Sequence, residues 1–100
     1  MIELIKTDVF DRWLTRLRDR QARAIIEARI RRLSIGNPGT IKPVGEGVSE
    51  MKIDFGPGYR VYFIRHGPVV VVLLCGGDKS SQDRDIVTAK AIAAQWKEQR

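Results

Sequence analysis

Apolar and polar positions change their rhythm three times along the chain. The opening "MIELIKT" (1–7) is short and rich in β-branched and aliphatic residues, which suits a first strand. From Asp8 the period becomes helical: Phe10, Trp13, Leu14 and Leu17 recur on one face, with Thr7 or Asp8 as the cap. After "RDR", Ala22, Ile25, Ile26, Ile30 and Leu33 repeat the pattern, so two amphipathic helices in a hairpin are expected. "SIGNPGTIKPVGEG" (34–47) holds four glycines and two prolines and reads as loop. Then the period becomes two. "VSEMKIDF" (48–55), "YRVYFIRH" (59–66) and "VVVVLLC" (69–75) read as three strands. The short "GPG" and "GP" turns between them imply a meander. The last strand is apolar on both faces and belongs inside the sheet, ending at Gly76-Gly77. "SSQDRDIVTAKAIAAQWKEQ" (80–99) reads as a final helix with Ile86, Ala89, Ala93 and Trp96 as its buried stripe. Ser80 and Asp83 stand at capping-box spacing, and Asp83 and Asp85 suit the positive end of the helix dipole. The expected order is β-α-α-β-β-β-α, one α+β domain over residues 1–100. Its small, mainly antiparallel sheet has a helical hairpin on one face and a C-terminal helix.

Strand alternation sorts the polar residues. Met51, Ile53 and Phe55 share one face of their strand, and Glu50, Lys52 and Asp54 the other. Tyr59, Val61 and Phe63 share one face of the next, and Arg60, Tyr62 and His66, with Ile64 among them, the other. If the apolar sets meet the helices, Glu50, Lys52, Asp54, Arg60, Tyr62 and His66 gather on an open face. A solvated face is ordinarily polar. This one goes further, setting an arginine, a tyrosine and a histidine on one strand beside a lysine and a glutamate able to pair with them. Asp78 and Lys79 follow the end of the last strand, where the helix presents free N–H groups to an anion.

Charge sharpens this picture. The chain has 18 basic and 12 acidic residues, a net charge of +6. Residues 1–35 hold nine Lys/Arg against five Asp/Glu, so most of the excess lies on the helical hairpin. A polyanion, most simply nucleic acid, is the expected partner. Several chemistries are excluded. One Cys and one His are too few for a zinc site. No GxxxxGK[ST] loop and no nucleophile elbow is present. Cys75 stands alone inside an apolar run, so no internal disulfide is possible and a buried small hydrophobe is its expected role. The start lacks a signal-peptide pattern and no apolar run reaches bilayer length, so a cytoplasmic protein without a membrane partner is expected.

The segments "GVSEMKIDFGPGYRVYF" (47–63) and "LLCGGDKSSQDRDIVTAKAIA" (73–93) bring in a resemblance. The first combines a Glu-x-x-Ile strand, a Gly-Pro-Gly-Tyr-Arg turn and a Val-Tyr-Phe strand. The second carries Gly-Gly-x-Lys-x-x-Gln-x-x-Asp-Ile. Together with the β-α-α start, the chain resembles the RelE/ParE/HigB superfamily of type II toxin–antitoxin toxins. More narrowly, it looks like the branch of phage-derived, HigB-like addiction module killer proteins. The resemblance implies a bacterial or phage-derived growth inhibitor, an mRNA endonuclease needing no cofactor or metal, commonly acting on the ribosome. It implies a cognate antitoxin, usually with a helix-turn-helix part, through which the pair binds operator DNA. In such metal-free cleavage the ribose 2′-oxygen attacks the adjacent phosphate. Arg60, which matches the arginine after the Gly-Tyr turn, suits the phosphate charge. Lys79, with Asp78 in the branch's own motif, and Lys52, matched by strand only, suit phosphate binding or proton transfer. Tyr62 suits stacking on a base or orienting a proton. Glu50 or His66 suits the general base, histidine being the residue type that titrates nearest neutrality. The chain departs from the pattern at its end, where such nucleases often carry a catalytic Tyr or His and "KAIAAQWKEQR" has neither. Two other functions fit the residues: a ParE-like DNA gyrase inhibitor, and a basic nucleic-acid-binding module without catalysis.

Overall fold

A computed structural model describes residues 2–99. Strand β1 (Glu3–Lys6) leads into helices α1 (Asp8–Arg16) and α2 (Arg20–Ser34). Strands β2 (Ile41–Gly45), β3 (Val48–Ile53), β4 (Tyr59–His66) and β5 (Val70–Gly77) follow. A 3-10 turn (Lys79–Ser81) then feeds helix α3 (Gln82–Glu98). The strands form one mixed sheet in the order β1-β5-β4-β3-β2, with β1 parallel to β5 and every other pair antiparallel.

The helices start where short polar side chains can take up free N–H groups. Thr7 Oγ1 accepts from Phe10 N at 3.1 Å and donates to Leu74 O at 2.6 Å, so the cap also fastens α1 to β5. Asp19 Oδ1 accepts from the N–H groups of Gln21 and Ala22 and caps α2. Helical spacing then lays Phe10, Leu14, Ala22, Ile26, Ile30 and Leu33 on one side of the sheet. There they meet Met51, Ile53, Tyr59, Val61, Phe63, Val71 and Leu73. Each large side chain buried in this way contributes about 1.5–3 kcal/mol.

The opposite face is not open. Helix α3 lies on it, and Ala89 and Ala93 let the helix approach Val48, Tyr62, Ile64, Val72, Leu74 and Cys75, with Ile86, Ile92 and Trp96 at the margins. The alternation over β3 and β4 is as the sequence suggests. The expectation of a solvated face fails because the apolar residues on it, from Val48 to Leu74, outnumber the polar ones and need cover of their own. Phe55 lies beyond the end of β3.

Residues 34–47 hold a strand as well as loop. Strand β2 pairs with β3 at the sheet edge, and Pro43 is tolerated there because an edge strand has one side without ladder partners. Its turn into β3 is the two-residue Glu46-Gly47 with both φ positive (55° and 81°), the geometry that matches strand twist.

Strand β5 also runs on through Gly76 and Gly77, which pair with Val61 and Arg60. A bulge opposite Tyr62 and Phe63 inserts one extra residue, Leu74, and exchanges the faces beyond it. A Cβ on Gly76 would overlap the Trp13 ring, and one on Gly77 would overlap the Asp85 carboxylate. The two glycines therefore mark close approach of α1 on one side and α3 on the other. The cap beyond them is Asp78, whose Oδ1 accepts from Ser80 N at 2.8 Å and whose N–H donates to Ser81 Oγ at 3.4 Å. The expected Ser80/Asp83 box does not form, because the 3-10 turn starts the helical path two residues earlier.

Candidate functional site

Four of the sequence-derived candidates converge: Lys52, Arg60 and Lys79, with Glu50 against Arg60. Lys52 faces Arg60 across the β3–β4 ladder, and Arg60 faces Gly77 across β4–β5, just before Lys79. With the Gly56-Pro57-Gly58 turn these side chains line a cleft of about 380 Å³. A second groove of about 260 Å³ shares Lys52 and Arg60 and is completed by Thr40, Ile41, Lys42 and Glu50. Arg60 stands at the junction of the two.

Arg60 is only 6% exposed, and Glu50 only 3%. Arg60 Nε lies 3.5 Å from Glu50 Oε1, an ion pair without hydrogen-bond alignment, and its Nη1 donates to Gly58 O at 2.8 Å. Glu50 Oε2 accepts from Gln82 Nε2 at 3.0 Å. The first residue of α3 thus steadies the carboxylate that holds the guanidinium. The backbone under Lys52 is fixed from the other layer, since Arg29 Nη1 donates to Lys52 O at 3.1 Å and Nη2 to Pro38 O at 3.0 Å. Burial, then Arg32, lowers the Arg29 pKa. Lys52 itself is half-exposed and reaches Asp54 Oδ1 at 3.4 Å, and such an exposed pair is easily exchanged for a phosphate.

Tyr62 and His66 do not join them. Tyr62 is fully buried beneath α3 and presents no ring face on which a base could stack. Burial first, then the nearby Glu50 carboxylate, raises its pKa strongly, so the phenol stays protonated; its hydroxyl nevertheless makes no well-formed hydrogen bond. His66 is exposed at the other end of β4, with its ring edge-on to Trp96 at 5.2 Å between centroids. Six residues of strand put it about 20 Å from Arg60. The histidine shares a face with Arg60 but not a site. Asp78 serves as the cap: its hydrogen bonds from Ser80 lower its pKa, against the opposing effect of burial. Cys75 is buried as expected, its thiol pKa pushed up to about 12 by burial and then by Asp85.

Lys42 was not among the sequence candidates. Its signal was the register of a strand hidden in a glycine- and proline-rich stretch, visible only once β2 is paired with β3.

No family model matches the chain. A protein of Haemophilus influenzae (strain ATCC 51907 / DSM 11121 / KW20 / Rd), described as an uncharacterized protein, is 52% identical to it over 92 residues. The match covers 92% of this chain and 93% of that one. The chain belongs to the same family as this Haemophilus protein. The match extends over nearly the whole length of both chains.

Proposed function

We propose that the protein is the toxin of a type II toxin–antitoxin module of RelE/ParE/HigB type, an mRNA endonuclease that inhibits translation. The observation that carries this reading is the buried Arg60 guanidinium, held by Glu50 and Gly58 between Lys52 and Lys79 at the mouth of a cleft. A guanidinium fixed in this way meets a phosphate without reorganising, which is how charge developing in a transition state is best stabilised. In the proposed reaction the ribose 2′-oxygen forms a bond to phosphorus and the 5′-oxygen leaves. The products are a 2′,3′-cyclic phosphate and a free 5′-hydroxyl. Arg60 takes the added charge on the phosphate oxygens. Lys52 and Lys79, the amines that line the cleft, bind the phosphate and move the protons. Glu50, spent on Arg60, acts as its positioning residue, and Tyr62 supports the floor from behind. A cognate antitoxin with a helix-turn-helix part neutralises the toxin and carries it to operator DNA, and the ribosome presents the mRNA.

The test is primer extension on mRNA after a pulse of expression, alongside translation in an extract supplied with the purified protein. New 5′ ends and arrested translation are expected from the wild type and not from Arg60→Lys, which keeps the charge and loses the bidentate fork. Intact mRNA with damaged DNA would point to a gyrase inhibitor. Salt-sensitive RNA binding without growth arrest would point to a non-catalytic binding module. Either outcome overturns the nuclease.

A further inference from the structure

The second groove does not figure in the cleavage chemistry, yet it opens from the same two side chains. Across β2–β3, Lys42 stands opposite Glu50, and Lys52 N donates to Thr40 O at 3.3 Å. Residues opposed across an antiparallel ladder share a face. Thr40, Lys42, Glu50, Lys52 and Arg60 therefore form one polar surface that runs across the strands to the sheet edge. Lys42 is diagonal to Lys52, a separation of about 7–8 Å between backbones, well within reach of successive phosphates for two flexible amines. Glu50 is the one acid lining the groove, and its two oxygens are turned to Arg60 and Gln82. Among the described residues Lys42 has no acidic partner, whereas Lys52 has Asp54.

We propose that this groove is a second subsite, which binds the sugar–phosphate backbone of the nucleotide next to the scissile phosphate, with Lys42 on the neighbouring phosphate. The proposal rests on the reading of the cleft as an RNA site. The strand crosses the sheet from Lys79, over Arg60 and Lys52, to Lys42. The groove offers amines and a threonine hydroxyl and no aromatic ring, so it holds backbone rather than reads bases.

The experiment is fluorescence anisotropy with 2′-O-methyl RNA, which cannot be cleaved, over a series of salt concentrations. The probes are a six-nucleotide strand and a dinucleotide with its single phosphate. The proteins are wild type, Lys42→Ala, Arg60→Lys and, as a control on α2, Arg31→Ala. Lys42→Ala is expected to weaken the six-nucleotide complex about 3- to 10-fold at low salt and to lower its salt slope by about 0.7, the value of one single-strand phosphate contact. It leaves the dinucleotide unchanged, and Arg31→Ala leaves both unchanged. An unaltered slope for Lys42→Ala, with binding reduced by Arg60→Lys, overturns the subsite and leaves the cleft as the RNA site. Equal losses from Lys42→Ala and Arg31→Ala also overturn it, because the effect is then general charge. If no substitution affects binding, the RNA reading of the cleft falls with it.

Discussion

At the residue scale the candidate site depends on one buried pair. Because Glu50 and Arg60 are both almost inaccessible, truncating either one strands the other's charge. Breaking such a pair costs about 3 kcal/mol or more. Arg60→Ala is therefore expected to lower both activity and stability, which makes it a poor probe by itself. The double variant Glu50→Gln/Arg60→Gln removes both charges together. It should recover most of that stability in chemical denaturation while remaining inactive in primer extension. Asp78 provides a separate test. Its carboxylate caps the turn before α3, and hydrogen bonds from Ser80 hold its pKa below the ordinary 3.8. A depressed carboxyl pKa stabilises the fold above the unfolded value, and the contribution is lost as pH falls through the folded one. Asp78→Ala should cost about 1 kcal/mol near neutral pH. In urea melts that difference from wild type should shrink progressively below pH 4.

At the element scale, the parts with the strongest periodic signal are legible in the sequence, and those built on an exception are not. Both helices of the hairpin, the strands from Val48 and Tyr59, and α3 lie where their apolar spacing puts them. Strand β2 escapes notice because Pro43 and the surrounding glycines speak against a strand, and because its turn uses Glu-Gly where Asn-Gly would announce a hairpin. Glu46 occupies the left-handed region at φ 55°, an unfavourable place for its side chain. Its exposed ion pair with Lys90 at 3.6 Å returns little. Glu46→Asn should stabilise the protein by about 0.5–1 kcal/mol, visible as a rise of a few degrees in Tm by calorimetry. The end of β5 escaped for a different reason. Two glycines read as a break, whereas here they are the clearance that lets Trp13 and Asp85 close in from opposite sides.

At the scale of the whole molecule, a sheet covered on both faces should not open uniformly. β4 and β5 have neighbours on both edges and helices above and below; β2 has one neighbour and is largely exposed. Native-state hydrogen exchange should find the slowest amides in β4 and β5, approaching the global unfolding free energy, and much faster exchange in β2. The same cover shapes the candidate site. Helix α3 occupies the half of the face that holds Tyr62 and Ile64, and leaves open the end where Lys52, Arg60 and Lys79 meet the cleft.

By itself, the sequence determined what is local or periodic. It specified the α+β class, the faces of the strands from Val48 and Tyr59, the burial of Cys75, and the convergence of Arg60, Lys52 and Lys79. Period, cap chemistry and strand alternation act between near neighbours, so they are written into short stretches of chain. The tertiary structure alone decided which polar residues remain accessible. Glu50 and Arg60 are a buried pair, Tyr62 is sealed, His66 packs beside Trp96, and Lys42 joins the groove. Each of those outcomes depends on where α3 rests and on how an edge strand is registered. Both are settled by contacts between segments far apart in sequence, which no local pattern encodes.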